Sequence, residues 1–268
     1  MDKKIAFIGS GNMGGAIIGG IISSALVAPG NITASDPSDK ARSSLSEKYG
    51  IRITDDNPAA VSDADIVFLA VKPNIYPAVC AQIKGHMKPD AIVVTIAAGQ
   101  TLAHMAEMLG DDVKVVRTMP NTPALVGEGM AALCPNAGVS KEDLADVEAI
   151  FNSFGKCEVI TENLFDAVVG VSGSSPAYVY MFIEAMADAA VADGLPRDKA
   201  YKFAAQAVLG SAKMVLETGR HPGDLKDMVC SPGGTTIKAV IELENAGFRS
   251  AVMRGTEACI EKSREMSK

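Results

Sequence analysis

Short apolar runs punctuate the first 160 or so positions of the chain, separated by polar stretches with helical spacing. The segments KIAFIG (4–9), NITAS (31–35), DIVFLAV (65–71), AIVVTIA (91–97) and VKVVRTM (113–119) have the length and β-branched content of buried strands. Between them lie amphipathic stretches such as DKARSSLSEKYG (39–50), which closes on Gly50, a residue suited to the left-handed turn that ends helices. Alternation of this kind predicts βαβ units and a mainly parallel sheet. GEGMAALC (127–134) and GKCEVIT (155–161) predict two further strands. They flank a helix opened by SKEDL (140–144), where Ser140 and Asp143 have the spacing of a capping box.

From about residue 162 the strand pattern stops. SPAYVYMFIEAMADAAVADG (175–194) is apolar on nearly all sides, so the predicted helix must be covered all round, by its own domain or by a partner subunit. LPRDKAYKFAAQAVLGSAKMVLETG (195–219) carries Pro196 near its start and Gly219 at its end, the punctuation of another helix. AGFRSAVMRGTEACIEKSREMSK (246–268) predicts a last one. The expected architecture is an α/β domain over 1–161 followed by an all-helical domain over 162–268.

Composition narrows the function classes. The 268 residues are 48% hydrophobic and 21% charged, the balance of a globular protein. A net charge of −7, without any basic run, argues against a nucleic-acid partner, and aromatics at 5% argue against base stacking. The five cysteines are scattered and lack C-x-x-C spacing, and the three histidines lack ligand spacing. Neither a disulfide framework nor a metal site is expected, and a cytoplasmic location fits. The N-terminus imitates a secretory signal, but six glycines before Ile21 interrupt its apolar run. No stretch reaches the roughly 18 uninterrupted apolar residues of a membrane span.

Those glycines carry the first candidate site. Gly9-Ser10-Gly11-Asn12-Met13-Gly14 is G-x-G-x-x-G, placed between a predicted strand and a predicted helix, the context of a Rossmann-like dinucleotide-binding turn. Ser35 and Asp36 end the second strand. Asp36 would accept the ribose 2′-OH of NAD(H) and repel the 2′-phosphate of NADP(H), or it would cap the helix that follows. Arg42 could offset the acid, so the choice between the two cofactors stays open. AVKP (70–73), AAG (97–99) and MPNTP (119–123) fall where ligands meet open α/β sheets, with Lys72 either a phosphate or ribose contact or a solvated loop lysine.

The second candidate site lies in the helical half. Gly170 and Gly173 match the phase of the G-x-x-G-x-x-x-K-x-x-N motif of β-hydroxyacid dehydrogenases, but Ala177 and Tyr180 replace its Lys and Asn. The acid–base lysine of that chemistry is absent. GVSGSSPAYVY (170–180) and HPGDLKDMVCSPGGTTIKAV (221–240), together with AVKP, NTP and GFRSAV, instead closely resemble the pyrroline-5-carboxylate reductase family, over essentially the whole chain. The resemblance implies reduction of a cyclic imino acid, 1-pyrroline-5-carboxylate, to L-proline by NADP(H) or NAD(H), in a dimer or higher assembly formed through the helical domains. It implies that Thr236 is the catalytic hydroxyl at the ring nitrogen, and that Ser231, Gly234, Thr235 and Thr236 hold the carboxylate. Glu162 would lie near the substrate amine, or be only a charge at a helix N-terminus. On the cofactor side it implies Ile8 to Met13, Asp36, Asn57, Ala70, Val71, Lys72, Pro73, Ala97 and Ala98, beside Gly14 and Ser35 of the turn and second strand. The residues suit this chemistry independently: a helix start rich in hydroxyls and free N–H groups takes a carboxylate without a cationic side chain. The alternatives are a related reductase for another small acid, and a dinucleotide-binding protein without catalysis.

Overall fold

A computed structural model describes residues 1–266. In chain order the first part contains β1 (Ile5–Ile8), α1 (Asn12–Ser23), β2 (Ile32–Ser35), α2 (Asp39–Tyr49), β3 (Arg52–Thr54), α3 (Asn57–Val61) and β4 (Ile66–Leu69). It continues with α4 (Tyr76–Ile83), β5 (Ile92–Thr95), α5 (Leu102–Leu109), β6 (Lys114–Met119), β7 (Gly129–Pro135), α6 (Lys141–Asn152), β8 (Gly155–Val159) and a short α7 (Phe165–Val168). The strands form one sheet in the order β3-β2-β1-β4-β5-β6-β7-β8. Every pairing is parallel except β6 with β7. All seven expected strands are present. The eighth, β3, has three residues at the sheet edge, two of them exposed, and so leaves no apolar run to read.

Both faces of the sheet are covered, which is why its central strands read as continuous apolar runs rather than alternating ones. Phe7 and Phe68 stack with ring centroids 4.7 Å apart on the face that carries α1 and α6, packed with Ile17, Ile18, Ile21 and Phe151. On the opposite face Ile8, Leu69, Val93 and Val115 meet Tyr76, Val79 and Ile83 of α4 and Met105 and Leu109 of α5. The helix signals act as expected. Gly50 ends α2 with φ 69°, and Ser140 and Asp143 form a reciprocal capping box with both hydrogen bonds at 3.1 Å.

After α7 and a π-helical turn over Val169–Gly173 come α8 (Ser175–Ala192), α9 (Arg197–Thr218), α10 (Pro222–Val229), α11 (Thr235–Asn245) and α12 (Phe248–Met266). By compactness the chain divides after Ser174: Ser175–Ala258 is one unit, and the sheet unit regains the chain from Cys259. The expected line at 161/162 follows the last strand, whereas the turns that come next stay with the sheet. Phe165, only 1% exposed, packs there with Ala132 and Cys134. Within the helical unit α8 and α9 pack on each other, yet α8 buries only Ala187, and Tyr180 and Met181 are 59% and 69% exposed. Among the described residues no helix is long and apolar enough to cross a membrane.

Candidate active site

The C-terminal ends of β1, β2, β4 and β5 lie side by side and bring the glycine turn and its neighbours to one rim of the sheet. Gly9 has φ 99°, and a Cβ on it would stand 2.6 Å from the Ala70 carbonyl oxygen. A Cβ on Gly14 would stand 2.9 Å from the Gly9 oxygen. These glycines let the end of β1 lie directly on Ala70 and Val71, and let α1 start directly on that turn. The helix cap, Gly11, offers no side chain, and the first turn of α1 holds no acid. Its leading N–H groups therefore keep their capacity for an anion. Gly11 and Asn12 are exposed, Met13 is half-buried, and the buried Ser10 hydroxyl has no hydrogen-bond partner among the described residues. A turn closed to a Cβ at Gly9 and Gly14, with uncommitted donors at a helix start, fits the pyrophosphate of a dinucleotide.

Asp36 braces this turn. Its Oδ2 accepts from the Ser10 N–H and its Oδ1 from the Ser38 N–H, both at 2.9 Å. The capping role weighed for Asp36 falls instead to Ser38, whose hydroxyl accepts from the Ala41 N–H at 3.3 Å. Arg42 donates to the Asp36 carbonyl and to Asp39, which sets a cation beside the acid at the end of β2. Ser35 Oγ donates to Asn57 Oδ1 at 2.7 Å, and Asn57 Nδ2 donates to Gln82 Oε1 at 2.7 Å, tying β2 to α3 and α4. The Ala70 N–H bonds the Ile8 carbonyl, Val71 is half-buried, and Lys72 and Pro73 are exposed where a 3₁₀ turn begins. Ala97 and Ala98 are half-buried in the loop between β5 and α5.

Further along the rim is a group that local sequence reading misses. Arg117 of β6 is only 6% exposed and donates to Glu162 Oε1 at 2.8 Å. The same oxygen accepts the Leu102 N–H at 2.8 Å, and the Phe165 ring lies 4.4 Å from the guanidinium. Glu162 thus caps the start of α5 and neutralises a buried cation. The signal for it was Arg117 within VKVVRTM, since a buried guanidinium requires a partner. Asn121, in the β6–β7 loop, donates to the Ser172 carbonyl at 3.2 Å and accepts the Met130 N–H at 2.9 Å, fixing that loop to the π-helical turn.

In the helical unit the segment 221–236 is a helix, a tight turn and a second helix. His221 caps α10 through Nδ1, which accepts the Gly223 N–H at 3.0 Å. After Cys230 the chain turns through Ser231, Pro232 and Gly233, the last with φ 70°, and the Gly234 N–H bonds the Ser231 carbonyl at 3.0 Å. Gly234 caps α11 with extended backbone and no side-chain bond, and no acid stands in the first turn. A Cβ on Gly234 would lie 2.3 Å from Ser231 Oγ, so the serine hydroxyl occupies the space over the helix start. The N–H groups that open α11 lie beside the Ser231 hydroxyl, and Thr235 and Thr236 supply two more hydroxyls in the first turn; Ser231 and Thr235 are exposed and Thr236 is half-buried. A helix start of this kind suits a small carboxylate. It lies in the helical unit, whereas Glu162 belongs to the sheet unit.

Comparison with known proteins agrees with both halves. Residues 162–266 match the family described as pyrroline-5-carboxylate reductase dimerisation, and residues 4–99 match the family described as NADP oxidoreductase, coenzyme F420-dependent. The chain is 58% identical to the pyrroline-5-carboxylate reductase of Escherichia coli K12 over the full length of both. A solved pyrroline-5-carboxylate reductase from Coxiella burnetii is 34% identical, covers 100% of both chains and superposes with a TM-score of 0.94. The Plasmodium falciparum pyrroline carboxylate reductase, solved with NADP bound, is 35% identical, covers 99% of this chain and 98% of its own, and gives 0.90.

Proposed function

The chain belongs to the pyrroline-5-carboxylate reductase family, and we infer that it reduces 1-pyrroline-5-carboxylate to L-proline with NAD(P)H, the last step of proline biosynthesis. The observation that carries this reading is the start of α11, whose uncapped N–H groups and adjoining hydroxyls suit a carboxylate. Ser231, Gly234, Thr235 and Thr236 hold the substrate carboxylate there, and Thr236 Oγ accepts the N–H of the protonated ring imine. NAD(P)H, held by Ile8 to Gly14, Ser35, Asp36, Asn57, Ala70 to Pro73 and Ala97-Ala98, supplies the hydride when bound. A protonated imine is already electrophilic, and its nitrogen becomes the more basic amine of the product. No side chain need act as a strong acid, which accounts for a site without His or Lys at the imine. The protein's contribution is chiefly orientation, anchoring the carboxylate and the ring nitrogen at once.

Self-association proceeds through the helical region, in line with the dimerisation family matched over 162–266 and with the exposed apolar faces of α8 and α9. We assign 1–161 to cofactor binding and 162–268 to substrate binding and dimerisation. We assign the enzyme to the cytoplasm, since all five cysteines are unpaired, as in a reducing compartment.

Purified protein mixed with NADH or NADPH should consume reduced nicotinamide only when the five-membered cyclic imino acid is added. A six-membered ring analogue serves as the specificity control. Absence of turnover with both cofactors refutes the assignment.

A further inference from the structure

We propose that Arg117 and Glu162 are positioning residues whose ion pair holds the β5–α5 loop in the shape that orients the nicotinamide for hydride transfer. The inference rests on the reading of Ala97 and Ala98 as cofactor contacts. Two neighbouring residues of β6 fix the two ends of that loop. Thr118 donates its hydroxyl to the Thr95 carbonyl at 2.6 Å, securing the end of β5. Arg117 holds Glu162 at 2.8 Å, and Glu162 accepts the Leu102 N–H at 2.8 Å, securing the start of α5. Between these anchors Thr101 caps α5 by accepting the His104 N–H at 3.1 Å. Gly99, with φ 77°, packs so closely that a Cβ on it would stand 3.0 Å from the Met266 carbonyl oxygen. Ala97 and Ala98 are thereby suspended between fixed points.

Stability alone does not account for the pair. Well-packed apolar residues commonly serve as well as a buried ion pair, whereas removing one partner leaves a costly unpaired charge. What the pair supplies is geometry: one carboxylate oxygen shared by a strand cation and a helix start. The dinucleotide's phosphates are gripped at the glycine turn, away from this loop. A loosened loop therefore changes how the reacting end is aimed more than how tightly the cofactor binds, and a misplacement of about 1 Å can cost about a hundredfold in rate.

The test compares two double variants of the full-length protein, neither of which leaves a lone buried charge. Arg117→Met with Glu162→Met removes the ion pair and the acceptor for Leu102. Arg117→Met with Glu162→Gln removes the ion pair and keeps an amide oxygen for Leu102. The first should lose about 10- to 100-fold in kcat with the KM for NAD(P)H little changed. Its primary isotope effect with 4-deuterated cofactor should be more fully expressed, and the second variant should regain several-fold of the lost kcat. Equal kcat in the two folded variants, or a loss carried by the KM for the imino acid, overturns the proposal; the latter would make Glu162 a substrate contact. Wild-type turnover in the same assay checks the assigned reaction separately, so an inactive wild type refutes that reaction and not the clamp.

Discussion

Replacing Gly234 with alanine tests the carboxylate receptor proposed at the start of α11. The backbone at Gly234 has φ −77° and ψ 175°, which any residue adopts, so the substitution brings no torsional strain. Exchanging glycine for alanine at a helix cap costs about 1 kcal/mol or less, roughly 2–4 °C in Tm. The new Cβ, however, would stand 2.3 Å from Ser231 Oγ, and relief to an ordinary contact of about 3.4 Å moves that hydroxyl by about 1 Å, off the helix start. A hydrogen bond to a charged group contributes about 1.5–3 kcal/mol, so kcat/KM for the imino acid should fall roughly 10- to 150-fold while the KM for NAD(P)H holds. Ser231→Ala should show a loss of similar size. Because both changes remove the same contact, the double variant should be no worse than Ser231→Ala alone. Steady-state kinetics with each substrate varied in turn, beside thermal melts, gives all these quantities. Wild-type kcat/KM in Gly234→Ala, or fully additive losses in the double variant, would refute the role given to this hydroxyl.

Gly9→Ala should destabilise the protein and weaken NAD(P)H binding by more than tenfold. A side chain at φ 99° costs about 1–3 kcal/mol, and the Cβ meets the Ala70 backbone rather than a movable side chain. Gly11→Ala, with nothing within 4 Å of its Cβ, should fold almost normally, and equal melting temperatures for the two variants would contradict the packing argument. Asp36→Ser removes a negative charge from the end of β2 and leaves Arg42 in place. The NADPH to NADH ratio of kcat/KM should rise about tenfold, the equivalent of 1.4 kcal/mol, and an unchanged ratio would show that Asp36 only braces the turn. At Asp143 burial opposes ionisation, but Lys114 at 2.8 Å and the Ser140 N–H and hydroxyl outweigh it and hold the pKa below its ordinary 3.8. A lowered carboxylate stabilises the fold fully above its unfolded pKa and loses that effect as pH falls through the folded one. Lys114→Met should therefore cost roughly 1 kcal/mol near neutrality and progressively less below about pH 4, and a pH-independent difference in urea melts would disprove it.

Local chemistry was legible in the sequence wherever neighbours along the chain decide the structure. The seven longer strands, the capping box at Ser140 and the left-handed stop at Gly50 all follow from spacing within a dozen residues. So does the opening of α11, because Gly-Gly before two threonines can turn sharply and then begin a helix. β3 was hidden because an exposed three-residue edge strand has no hydrophobic signature, and α10 because eight residues opened by Pro-Gly carry too few turns for a period. The partnership of Arg117 with Glu162 was out of reach for another reason. The arginine in the strand announced a need, but its answer lies beyond two more strands and a helix, and only the folded chain pairs them. Asp36 shows the limit at short range: two oxygen-bearing residues stood near one helix start, and Ser38 became the cap while Asp36 reached across to the glycine turn.

The exposed α8 has a consequence for how this protein comes into being. Of its 18 residues only Ala187 is buried within one chain, so most of its hydrophobic driving force is realised only when a second copy arrives. Completing the helical unit is then a collision between molecules, and the final phase of refolding should quicken in proportion to protein concentration. Resistance to urea should likewise depend on dilution, each tenfold step changing the free energy of the folded dimer relative to unfolded chains by about 1.4 kcal/mol. A newly made copy in a nearly empty cell lacks what the same sequence has in a crowded one, and its durability has to be quoted at a stated molarity.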